Sequence, residues 1–188
     1  MSLHLSGGFA EPAQQSARAF RALLDAMARP GRIQRVEGAA PPVPVSVAAG
    51  VALLVLTDPT TPLHLAGGAD RPELRDWIAF HTGAPLVGAE KARFALGDWQ
   101  ALSPVSRFAI GDPAWPDRSA TLIVETDRLE PAGGRLTGPG IRDEAFLSLP
   151  ETAAFQVNRA LFPLGFDIFL TCGDRLAALP RSTRVEDR

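Results

Sequence analysis

Tyrosine is missing from this 188-residue chain, and lysine occurs once, at Lys91; every other basic residue is arginine or histidine. Chemistry that needs a lysine amine, such as a Schiff base, therefore has a single residue to use. Cysteine also occurs once, at Cys172. No intramolecular disulfide can form, and a reducing cytoplasm is the expected compartment. No apolar run reaches the ~18–20 residues of a membrane span; the longest, Val43 to Leu56, is broken by Pro44 and Gly50. The N-terminus has neither the basic nor the apolar region of a secretory signal. Neither charge is in excess: the formal net charge is −2 and the pI about 5.9. That balance argues against a nucleic-acid binder working through a general basic field. The histidines, His4, His64 and His81, have no ligand-type residue at helical spacing, so no zinc site is expected. No Gly-x-Ser-x-Gly elbow is present.

What the chain does have is an ordinary apolar complement. Hydrophobic residues make up 46% and the mean hydropathy is +0.05, which excludes disorder. The length suits one domain, residues 1–188. Pro12 sits where a helix would begin, and Phe20, Leu23, Leu24 and Met27 follow at i, i+3, i+4, i+7, predicting an amphipathic helix stopped by Pro30-Gly31. Val45 to Leu56 fits a buried helix better than a central strand, by its length and alanine content. Asp70 as N-cap, Pro72 and Glu73 announce a further helix through Leu74, Trp77 and Ile78. Glu151 to Phe162 is a last helix. Strands are expected at Leu63–Ala66, Ala92–Leu96, Ala120–Glu125, Phe166–Thr171 and Leu176–Leu179, the last two hairpinned about Gly173-Asp174. The near-continuous apolar run before Glu125 marks a central strand. Mixed elements without an internal repeat give a single α/β domain.

Few residues carry chemistry. Cys172, ending an apolar strand, reads as a small buried hydrophobe. Gly138-Pro139-Gly140 fits either a tight turn needing positive φ or a backbone anion cradle, with the turn favoured. Near the C-terminus, Arg181, Ser182, Thr183 and Arg184 offer guanidinium forks and hydroxyls. Those groups suit phosphate or phosphonate oxygens, or a partner's carboxylates. Gly138, Gly140, Arg181 and Thr183 are the candidate substrate- or partner-binding residues; no catalytic residue is identified. Phe94, Trp99 and Trp115 are expected in loops, as a contact patch.

Several segments together resemble the PhnH family of the bacterial carbon–phosphorus lyase system. They are Phe20 to Gly31, Phe80 to Leu86, Ala120 to Ile123, Leu136 to Ile141, Phe162 to Asp167 and Leu179 to Thr183, in the family's order. Ser182 departs conservatively from a common threonine, and the proline-rich stretch at Pro41 to Pro44 is shorter than usual. The resemblance implies a three-layer α/β fold with a mixed sheet, like a shortened large domain of PLP-dependent transferases. It implies a homodimer that joins other core subunits of the complex. It also implies participation in moving ribose triphosphate from ATP to an alkylphosphonate, and it assigns this subunit no catalytic residue and no cofactor. An accessory role and a role in binding ATP or a phosphonate stand as the two readings. An independent PLP enzyme would have to use Lys91, in the polar connector Ala89-Glu90-Lys91, where a solvated lysine is the default.

Overall fold

Ser46 caps α2 (Val47–Leu56) by accepting from the Ala49 N–H, and the helix that follows is apolar all round. Such a helix must be covered on every side, and Ala48 to Leu53 are buried between α1 (Pro12–Ala28) and the main sheet. A computed structural model of the chain describes residues 5–187; His4 lies outside them. The main sheet has six strands in the order β1-β10-β9-β6-β3-β2: β1 (Gln34–Arg35), β2 (Leu63–Leu65), β3 (Phe94–Asp98), β6 (Thr121–Glu125), β9 (Asp167–Cys172) and β10 (Arg175–Leu179). From β2 to β9 the pairings are parallel, while β9–β10 and β10–β1 are antiparallel. The sheet is mixed, as expected, and β6 lies in its interior with Leu122, Ile123 and Val124 fully buried. Each such side chain contributes about 1.5–3 kcal/mol by leaving water.

Two apolar clusters cover the two faces. One joins α1, α2 and α3 (Pro72–His81) to Leu96, Ile123 and Phe169. The other joins Ala95, Leu122, Val124 and Leu170 to α4 (Trp99–Leu102), α5 (Thr152–Ala160) and the three-stranded sheet β11-β7-β8. In that sheet β7 (Gly134–Thr137) pairs antiparallel with both β8 (Ala145–Leu147) and β11 (Arg184–Glu186). A separate hairpin, β4 (Ile110–Asp112) and β5 (Trp115–Ser119), leads into β6. Among the described residues no helix is long and apolar enough to cross a membrane.

Several expectations change in detail. On α1 the buried side chains are Ala19, Leu23 and Ala26, while Phe20 and Leu24 are 49% and 56% exposed. The helix turns its alanines inward because it packs against both α2 and β10, where small side chains allow close approach. Asp70 does not cap α3; Arg71 occupies that position, and Asp70 holds Arg75 through two hydrogen bonds of 2.6 and 2.9 Å. The third strand starts at Phe94, two residues later than the apolar pattern suggested, because Ala89–Lys91 forms a 3-10 turn first. Phe94, Trp99 and Trp115 lie on β3, α4 and β5, not in loops, and only Trp115 is strongly exposed. Cys172 is half-exposed at the end of β9 and not buried, with Sγ 3.5 Å from the Asp127 carbonyl oxygen.

Candidate functional site

The C-terminal segment does not trail into solvent. Arg181 donates from Nε and Nη2 to the two Asp167 carboxylate oxygens (3.1 and 2.5 Å), from Nη2 to Ser119 Oγ (2.5 Å), and from Nη1 to the Pro116 carbonyl (2.8 Å). Its side chain is 13% exposed, so it is an internal clamp joining β9 to the β5 hairpin and not the surface arginine the sequence suggested. Thr183 is buried, and its Oγ1 has no hydrogen-bond partner. Gly138, at φ +127°, passes close to the Ser182 carbonyl and to Thr183. Gly140, at φ +81°, lies against the last turn of α1, where an added Cβ would overlap the Ala28 carbonyl. The glycines thus serve a turn wedged between β11 and α1. Gly138 and Thr183 come together; Gly140 and the Arg181 guanidinium point elsewhere.

A large cleft lies at another place, at the carboxyl ends of the parallel strands. The chain leaves β2 toward the α3 face and leaves β3 toward the α4 face, since the two helices belong to opposite apolar clusters. Diverging connections of this kind open a crevice where α/β sheets bind ligands. Here the crevice measures about 1210 Å³ and includes none of Gly138, Gly140, Arg181, Thr183 or Lys91 among its lining residues. Gly97, Asp98, Glu125 and Thr126 line its sheet side, with Ser46, Ala69 and Trp99 among the walls.

Glu125, the last residue of β6, carries the main polar interactions of the cleft. Its Oε1 accepts from the Ser46 backbone N–H (2.7 Å), and Oε2 lies 3.0 Å from Thr171 Oγ1. Burial raises the Glu125 carboxyl above its ordinary range, and these hydrogen bonds partly oppose the rise. Asp98 accepts from the Ala101 N–H at the start of α4. Trp99 stacks on Phe155 with ring centroids 5.3 Å apart and donates from Nε1 to Glu151 (3.0 Å), which fixes the indole. Asp127 and Asp187 add two further carboxylates, whereas the one cation among the described lining residues, Arg128, is paired with Glu130 at 3.1 Å. The cleft is therefore acidic and accepts hydrogen bonds. No group of three metal-ligating side chains occurs among the described residues.

Residue patterns did not reveal this site, because its groups stand singly in the sequence and Ser46 and Glu125 are 79 positions apart. One signal was present: a carboxylate ends the most continuous apolar strand, at the carboxyl end where α/β sheets bind ligands.

Comparison with known proteins gives a consistent result. The family model described as bacterial phosphonate metabolism protein (PhnH) matches residues 7–186. Alpha-D-ribose 1-methylphosphonate 5-triphosphate synthase subunit PhnH of Rhizobium meliloti (strain 1021) is 40% identical over 96% of this chain and 95% of its own length. A putative C-P lyase subunit protein, HtxG, of Stutzerimonas stutzeri is 32% identical over 93% of this chain and 86% of its own length.

Proposed function

The chain belongs to the PhnH family of bacterial phosphonate metabolism proteins, and from that premise we propose that it is a subunit of a carbon–phosphorus lyase system. In this reading it supports the transfer of ribose triphosphate from ATP to an alkylphosphonate of the methylphosphonate type, in the cytoplasm and beside the other core subunits. The observation that carries the reading is the 40% identity, nearly end to end, to a subunit of a ribose methylphosphonate triphosphate synthase. The whole span 1–188 acts as one unit, and its mixed sheet with a layer on each face agrees with a shortened PLP-transferase large domain.

An accessory role fits the structure better than an independent catalytic one. Two hydroxyls of the cleft are held by carboxylates, Thr152 by Asp187 and Ser46 by Glu125, and among the described lining residues there is no histidine or lysine to serve as a stronger base. Lys91 is exposed on its 3-10 turn, away from the cleft. The alternative, in which Gly138, Gly140, Arg181 and Thr183 bind a nucleotide or phosphonate, has less support because the Arg181 donors are engaged internally. A homodimer would use the large apolar side chains left exposed, such as Phe20, Leu24 and Trp115. Growth tests the reading. A strain lacking this gene should fail to grow on methylphosphonate as its phosphorus source, grow normally on phosphate, and recover when the gene is returned. Undiminished growth on methylphosphonate would overturn the assignment.

A further inference from the structure

The cleft at the carboxyl ends of β3 and β6 has a chemistry that selects its ligand. Glu125 uses one acceptor position on Oε1 for the Ser46 N–H and one on Oε2 for Thr171. The Ser46 hydroxyl also bonds the carboxylate, so of its roughly four acceptor positions one stays open, enough for one hydroxyl of a ribose. A carboxylate near the carboxyl end of a parallel strand is the group that takes ribose hydroxyls in dinucleotide-binding folds. Trp99, held in place by Phe155 and Glu151, supplies an aromatic wall. At about 1210 Å³ the cleft exceeds the roughly 300–1,000 Å³ typical of small-molecule pockets, so a nucleoside is readily accommodated.

The charge of the cleft is equally informative. Asp98, Glu125, Asp127 and Asp187 line it, and the one guanidinium among the described lining residues, Arg128, is already paired. The α2 N-terminus, where a phosphate would otherwise find backbone donors, has its Ser46 N–H directed to the chain's own Glu125 carboxylate. Among the described residues a polyphosphate has no unpaired counter-charge here.

We propose that this cleft binds the sugar-and-base portion of a ribonucleoside, with Glu125 receiving a ribose hydroxyl and the phosphates directed out of the cleft. The proposal rests on the ribosyl chemistry assigned above and places the division of labour at the 5′ carbon. This subunit holds the uncharged part, and the phosphates meet cations supplied from outside it.

Titration of the full-length chain with adenosine, 2′,3′-dideoxyadenosine and ATP, followed by calorimetry and by Trp99 emission with Trp99→Phe as control, tests it. Adenosine should bind saturably. Dideoxyadenosine should bind about tenfold or more weakly, as expected for a lost hydrogen bond to a charged group. ATP should bind more weakly than adenosine at low salt, and the gap should close as salt screens the repulsion. Glu125→Gln should weaken adenosine by about tenfold or more. Should that variant misfold, Gly68→Leu decides, since a Cβ at Gly68 meets only Pro44 Cγ, at 3.6 Å, and a longer side chain can occupy the cleft.

No adenosine binding, ATP binding tighter than adenosine at low salt, or full affinity in a folded Glu125→Gln or Gly68→Leu variant would each overturn the proposal. So would uptake of an arginine-rich peptide by a chain that ignores adenosine, which would make the cleft a docking site for a cationic segment. Failure of nucleoside binding with growth on methylphosphonate intact in the complemented strain removes this inference alone. Failure of the growth test with nucleoside binding intact removes the subunit assignment instead.

Discussion

Replacing Arg181 with alanine removes four side-chain hydrogen bonds at once, two to Asp167 and one each to Ser119 Oγ and the Pro116 carbonyl. Breaking a buried ion pair from one side costs about 3–5 kcal/mol, because the partner charge stays behind unpaired. Asp167 is 23% exposed and keeps the Arg181 backbone N–H at 2.8 Å, and both features soften the loss. The expected destabilisation is therefore about 2–4 kcal/mol. At roughly 2–4 °C per kcal/mol for a chain of this size, Tm should fall by about 4–16 °C. Arg181→Lys should recover only part of this, since an ammonium cannot reproduce the two-pronged contact with Asp167. Thermal melts by circular dichroism measure all three proteins. A Tm for Arg181→Ala within about 1 °C of the parent would refute the clamp and return Arg181 to the surface role its sequence context suggested.

Three further outcomes follow from particular contacts. Asn158, 5% exposed, donates to the Phe166 carbonyl (2.8 Å) and accepts from the Phe166 N–H (2.9 Å). Asn158→Ala leaves two buried backbone groups unpaired and should cost about 2–4 kcal/mol in urea denaturation; a loss below about 1 kcal/mol would contradict it. Burial raises the Glu125 carboxyl, so the folded state holds its proton more tightly than the unfolded chain does. Its contribution to stability is present at low pH and declines as pH rises from the ordinary carboxylate pKa, ~4.3, through the raised folded value. Glu125→Gln should flatten that decline, and an unchanged profile would assign the pH dependence to other groups. Light scattering of the purified chain should give the mass of a dimer, and a monomer mass across micromolar concentrations would remove the homodimer from the account.

The elements legible in the sequence were those whose burial is one-sided or complete. The apolar run ending at Glu125 pointed to an interior strand, and the run from Val45 to Leu56 favoured a buried helix over a strand by its length and alanine content. The hairpin of β9 and β10 was legible from its turn at Gly173-Asp174, and its register pairs Leu176 with Thr171. The face of α1 was misread because apolarity and burial diverge there: Ala19 and Ala26 fit the crowded interior, while the larger Phe20 and Leu24 face outward. Short strands such as β8 and β11 are three residues each and draw their stability from partners distant in sequence, so no local pattern marks them. The same distance hid the clamp and the cleft. Arg181 finds Ser119 62 positions away and Glu125 meets Ser46 79 positions away, contacts that only the tertiary fold creates.

The subunit assignment is tested most directly by co-expressing the tagged chain with the other core subunits of a carbon–phosphorus lyase system and weighing the purified product by native mass spectrometry. The expected result is a stable assembly that contains this chain in fixed stoichiometry with the other core subunits, and whose transfer of ribose triphosphate to methylphosphonate is lost when this chain is omitted. Recovery of the chain free of those subunits, or full transfer activity from a preparation lacking it, would contradict the assignment.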